Sequence, residues 1–173
     1  IEVNGAGYRG AIRSSSGSIM VSYSAINNLP MTFNRKLVTR YLVKGRHHYF
    51  GHPFRGLIVS DYGAVDKAAN QGLPTTTTHT PYPESLAKAI NSGIDLVMLS
   101  SSAQYEKNLE GFLEIFQQVV ESGAIPIERI NEAVTHILAV KYAMGLMKVN
   151  AQGYLVKSKR PPLPSYKEIY AKT

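Results

Sequence analysis

The sequence predicts an α/β fold with parallel strands, a partial (β/α)8 TIM-type barrel. Three observations carry this. Short runs of β-formers recur at residues 18–24, 57–60 and 95–99. Helical patterns with one apolar face lie between and after them. The resulting order, strand then helix repeated, is the pattern of βαβ units on a parallel sheet. A complete barrel needs about 250 residues, and three strands make a poor independent domain of this class. The 173 residues therefore read as about three βα units of such a barrel.

Each element follows from local chemistry. Residues 1–17 are rich in Gly and Ser, with a short helix expected around Tyr8–Arg13. The run Ser18-Ile19-Met20-Val21-Ser22-Tyr23-Ser24 reads as a buried strand, and Asn27-Asn28-Leu29-Pro30 as a turn. Asn34 is placed to cap a helix whose apolar face carries Leu37, Val38, Tyr41 and Leu42. Residues 44–56 read as a loop and 57–60 as the second strand. Residues 62–83, with four consecutive threonines and Pro74, Pro81 and Pro83, read as a long connection. Residues 84–91 form a short helix closed by Gly93, and 95–99 a third strand. A helix over 105–122 buries Leu109, Phe112, Leu113, Phe116 and Val120. Pro126 opens a last helix that ends at Gly145. Residues 148–173, with Pro161, Pro162 and Pro164, read as a basic tail or linker.

Hydrophobic residues make up 44% of the chain and charged residues 18%, a globular composition. The absence of Cys excludes a disulfide framework and a thiolate metal site, but does not fix the compartment. No apolar stretch approaches the ~20 residues that span a bilayer, so no membrane partner is expected. No signal peptide is visible, and the chain opens on Ile1 rather than Met, as a processed or excised piece would. The formal net charge is +7, concentrated in residues 35–55 and 148–172. A basic balance permits nucleic-acid contact. The chain has no RNA-binding aromatic motif, zinc-finger spacing or phosphate loop, so a solvated face and a basic tail account for the charge. His47, His48 and His52 lie close in sequence, but without a neighbouring Asp, Glu or Cys they are not read as a metal site.

The residue that most invites chemistry is Asp61. It follows the apolar run Leu57-Ile58-Val59-Ser60 and precedes Tyr62-Gly63. In parallel α/β proteins sites open at the C-terminal ends of strands, and a charge there without partners is costly. The structural alternative is that Asp61 only caps the following turn. Tyr23 is either a core tyrosine or a group near the site. Met98 reads first as a core gap-filler that needs no function, and Asp95, at the start of its strand, as bonding local backbone.

Four blocks of sequence resemble glycoside hydrolase family 3. Ile19-Met20-Val21-Ser22-Tyr23-Ser24-Ala25-Ile26-Asn27 with Pro30-Met31 is similar to a late barrel strand of that family. Gly56-Leu57-Ile58-Val59-Ser60-Asp61-Tyr62-Gly63-Ala64-Val65 is similar to the next strand, where the family usually has Ser-Asp-Trp. Residues 89–98 resemble the strand after it. Residues 127–134 and 137–146 resemble the helix closing the barrel domain. The blocks occur in family order over residues 8–147. The resemblance implies a β-glycosidase lineage, with residues 1–147 as the C-terminal part of its barrel domain and three late βα units. It implies Asp61 as the nucleophile of a retaining mechanism, with Tyr23, Tyr62 and Met98 facing the substrate. Tyr62 in place of Trp keeps an aromatic platform but leaves the sugar open. The histidine segment looks inserted relative to the family. No cofactor is implied, and a secreted, periplasmic or vacuolar setting is.

A retaining glycosidase needs a second group about 5–5.5 Å from the nucleophile to protonate the leaving oxygen. No Glu here matches the family's acid/base; Glu84, Glu106 and Glu110 fall on helices. Loss of general-acid help costs on the order of 10²–10⁴ in rate. The chain alone is therefore expected to be inactive, with a β-linked glucoside or oligosaccharide as substrate and the remaining segments of the same parent protein as partners. A second reading is a non-catalytic scaffold or binding subunit derived from such a barrel.

Overall fold

The computed structural model describes residues 5–70, 81–100 and 109–158. Two compact units divide at Ile137/Leu138, within the last helix.

In the first unit, α1 (Ala6–Arg13) leads into β1 (Ser18–Met20), which pairs in parallel with β4 (Leu57–Val59). Ile19 stands opposite Ile58. A further parallel bridge joins Val59 to Leu96. Three extended segments thus lie side by side in chain order, as the α/β pattern predicts. The first is shorter than expected because Ser24 N–H donates to Ser22 Oγ and the two hydroxyls bond each other at 2.9 Å. Such local side-chain bonds compete with a ladder. The third is reduced to the bridge. Asp95 N–H and Leu96 N–H both go to Ile58 O.

The expected turn at 27–30 is a minimal hairpin, β2 (Ala25–Ile26) against β3 (Leu29–Pro30), with Asn27 and Asn28 both at positive φ. Asn tolerates that region better than most residues. Asn34 Oδ1 accepts the Leu37 N–H at 3.1 Å, the expected cap. The helix it opens, Lys36–Val43, is wound as a π-helix, with Lys44 N–H returning to Thr39 O. Where a long connection was expected after Asp61, α2 (Ala64–Asn70) forms instead. Its Ala64, Val65 and Ala69 are buried, so the alanine-rich segment pairs good helix propensity with an apolar face. The threonine run lies outside the described residues.

α3 (Tyr82–Asn91) starts after Pro81. α4 (Leu109–Glu121) covers the described part of the expected 105–122 helix, and α5 (Ile127–Ala143) follows Pro126. α3 packs on α2 and on α4. The core lies between these helices and the strands, with Ile58, Tyr82, Leu86 and Ile94 almost fully buried. Leu109 and Leu113, expected in the core, are exposed, while Phe112 and Val119 are buried. Strand alternation puts Ile58 toward the helices, and leaves Met20 and Leu96 exposed. Gly56 is set by close approach: a Cβ there would collide with the Gly17 carbonyl beside β1.

The second unit contains the hairpin β5 (Met147–Val149) and β6 (Leu155–Lys157), antiparallel, in place of the expected linker. Asn150 closes it. Its Oδ1 accepts from the N–H groups of Gln152 and Tyr154, an Asx-type turn that the Pro-rich composition further on had masked. Residues 159–173, with all three tail prolines, lie outside the described residues.

Candidate active site

Asp61 stands two residues past β4, at its C-terminal end. The turn that carries it is locked from below and from the side. Ser60 is fully buried. Its hydroxyl accepts the Met98 N–H at 2.8 Å and donates to the Asp61 carbonyl at 3.0 Å. Ser60 N–H in turn reaches Leu96 O at 2.9 Å. Gly63 sits at φ +64, a left-handed conformation that glycine takes without strain, and donates to Met98 O at 2.9 Å. α2 then begins, with Ala64 N–H bonded to Asp61 O.

The carboxylate itself is half-buried. Oδ1 accepts the Tyr62 N–H at 2.7 Å. Among the described residues Oδ2 takes no hydrogen bond, and neither oxygen pairs with a cation. A rigid backbone thus presents one held and one open carboxylate oxygen at a strand tip. This is what a nucleophile requires: fixed position and an accessible lone pair.

The other sequence candidates occupy the same end of the strands. Tyr23 follows β1 and is 44% exposed, so it is not a core tyrosine. The Lys67 ammonium lies 4.3 Å from its ring centre, a cation–π contact from α2. Tyr62 is 46% exposed. Met98 is exposed too, and its backbone, rather than its thioether, ties it to Ser60 and Gly63. The structure thus places all four candidates at adjacent tips of the parallel segments. A cavity of about 570 Å³ runs beside β1 to the residues on either side of Tyr23, lined by Ile19, Ser22, Ser24, Met31 and Phe50 among others, and does not include Asp61.

Asp95 lies at the opposite end of its strand. Its side chain is buried and accepts the Ile58 N–H at 2.9 Å, a bond to the neighbouring strand 37 residues away rather than to the local backbone expected of it. It also binds Arg129 at 2.6 Å and His136 Nδ1 at 3.0 Å. Those two partners were not read from the sequence. Their signal was there: residues seven apart share a helix face, and Arg129 and His136 are so spaced on α5. Ser60 was likewise read only as a strand residue.

His47 packs edge-on against Tyr41 at 5.6 Å, and His52 is exposed. Among the described residues no group of three His, Cys, Asp or Glu side chains converges as a metal site would require.

The family model described as the glycosyl hydrolase family 3 N-terminal domain matches residues 1–140. The chain belongs to glycosyl hydrolase family 3. Among curated relatives, the periplasmic β-glucosidase of Salmonella typhimurium is 28% identical over 139 residues, 80% of this chain and 16% of that protein. The lysosomal β-glucosidase of Dictyostelium discoideum is 28% identical over 130 residues, 75% of this chain and 14% of that one. A solved β-glucosidase from Listeria innocua in complex with glucose superposes with a TM-score of 0.61 at 25% identity, over 80% of this chain and 16% of that structure. The chain therefore spans less than a fifth of the length of these family 3 relatives.

One expected result tests the local lock. Ser60→Ala leaves the Met98 N–H without its acceptor. It should cost about 1–3 kcal/mol, read as a lowered melting temperature.

Proposed function

We propose that this chain is the C-terminal part of a family 3 barrel domain and that it carries the nucleophile of a retaining β-glycosidase. The observation that carries the reading is Asp61, fixed at the tip of β4 by Ser60 and Gly63 with Oδ2 open. Three adjacent parallel segments in chain order support the barrel placement, since consecutive strands of a (β/α)8 barrel are neighbours.

In the first step Asp61 Oδ2 attacks the anomeric carbon of a terminal β-D-glucosyl unit. The bond to the leaving oxygen breaks, and a proton donor delivers a proton to that oxygen. In the second step water attacks the same carbon, the Asp61 ester bond breaks, and the donor, now a base, takes the water proton. The position of Asp61 at this end of the strands, with one oxygen open, supports the nucleophile role. Tyr23, Tyr62 and Met98 at the same strand tips are assigned to the substrate face, and the donor and the remaining groups that hold the sugar to segments outside the described residues. Glucose as the sugar is supported by the relatives, which are β-glucosidases by name.

The test is trapping with an activated 2-deoxy-2-fluoro-β-glucoside. In the full-length protein it should release one leaving group per site and leave its label on Asp61, located by peptide mass spectrometry. The 173-residue chain alone should show no label. A label on another carboxylate would refute the assignment, and rapid turnover by the isolated chain would refute the need for further segments.

A further inference from the structure

The side chain of Asp95 is 1% exposed, far less than that of the half-buried Asp61. Both Asp95 oxygens are fully used. Oδ1 accepts Arg129 Nη2 at 2.6 Å; Oδ2 accepts the Ile58 N–H at 2.9 Å and His136 Nδ1–H at 3.0 Å. Arg129 has further anchors. Nε donates to Ile90 O at 2.9 Å and Nη2 to Ile94 O at 3.0 Å, the carbonyls around the end of α3. Nη1 lies 3.4 Å from Glu132. One carboxylate thus joins β4, the turn after α3 and α5.

From this clasp a continuous chain of bonds climbs to the candidate nucleophile. Ile58 O accepts the Asp95 and Leu96 N–H groups at 2.8 and 3.1 Å. Leu96 O accepts the Ser60 N–H, Ser60 Oγ accepts the Met98 N–H, and Met98 O accepts the Gly63 N–H. Every link is 3.1 Å or shorter. Asp61 sits between the last two anchored residues.

We propose that Asp95, Arg129 and His136 are positioning residues for Asp61: they fix the register of β4 against the 95–98 segment, and so where the carboxylate meets the anomeric carbon. This rests on the reading of Asp61 as nucleophile. None of the three touches substrate. Their action is geometric, and small displacements at a reacting centre are expensive. An error of about 1 Å can cost on the order of 10²-fold in rate.

The test compares His136→Phe with His136→Asn in the full-length protein. Phe keeps the ring volume and removes the donor. Asn places an N–H where Nδ1–H stands. Sites are counted by the leaving group released on fluoroglucoside trapping, so that misfolded protein drops out of the rate. Per titrated site, His136→Phe should trap about tenfold more slowly at unchanged KM, and His136→Asn should recover most of the loss. Arg129→Lys, which keeps the charge but loses the fork to Ile90 and Ile94, should show the same slowing and serves if the Phe variant does not fold. Wild-type rates per site in His136→Phe or Arg129→Lys would overturn the proposal. Absence of any label on Asp61 in the wild type would instead overturn the nucleophile assignment.

Discussion

In the full-length protein, Asp61→Gly should lower kcat/KM for an aryl β-glucoside by at least about 10⁴-fold, and azide should restore turnover with an α-glycosyl azide as the product. Each decade is about 1.4 kcal/mol of transition-state stabilisation, so the loss exceeds anything a turn cap contributes. A cap removed costs about 1 kcal/mol of stability, and turnover would barely change. The two roles therefore differ by orders of magnitude in rate. The stereochemistry adds a second discriminator. Azide entering the space left by the carboxylate attacks from the face Asp61 occupied and inverts the anomeric centre. Had the missing group been the proton donor, the azide would replace water on the opposite face and the product would be β. Near-normal turnover in Asp61→Gly, or a β-azide, would remove Asp61 from the role proposed for it.

How much of this was legible in the sequence depends on whether the signal was local. The run Leu57-Ile58-Val59 and the tip at Asp61 were legible because three β-formers and a following Gly63 need no tertiary information. The cap at Asn34 and the helix after Pro126 were legible for the same reason. The helix at Ala64–Asn70 was not, since prolines and threonines further along made the whole of 62–83 look like connection. The hairpin at 147–157 was hidden in the same way by a Pro-rich stretch beyond it. Ser60 illustrates the harder limit. A serine closing an apolar strand says nothing about which amide it will accept; its bond to Met98 spans 38 residues. Asp95 is similar. Its charge was visible, but the two side chains that make its burial tolerable come from α5, and only packing brings them there.

Arg129→Met should therefore be the most damaging change to the fold. The substitution keeps chain length and apolar volume while removing the guanidinium. Asp95 would stay buried with His136 as its remaining side-chain partner, and Ile90 O and Ile94 O would lose their donor. Breaking a buried pair from one side costs about 3–5 kcal/mol, because the penalty of the stranded charge remains. The Glu84–Lys88 pair on α3 supplies the control. At 2.7 Å it is as short as Asp95–Arg129 at 2.6 Å, yet its side chains are about half exposed. Exposed pairs of this i,i+4 kind contribute about 0.3–0.5 kcal/mol, so Lys88→Ala should change little. Burial, not distance, separates the two. Hydrogen exchange is the suitable measurement, since the amides of Ile58, Asp95 and Leu96 all report on the clasp. Their protection should fall by on the order of 10²–10³-fold in Arg129→Met and by less than about threefold in Lys88→Ala. Pairing Arg129→Met with Asp95→Asn should recover part of the loss, because the stranded group then carries no charge. Equal, small losses in the two single variants would mean that the buried carboxylate is not what holds β4 to α5.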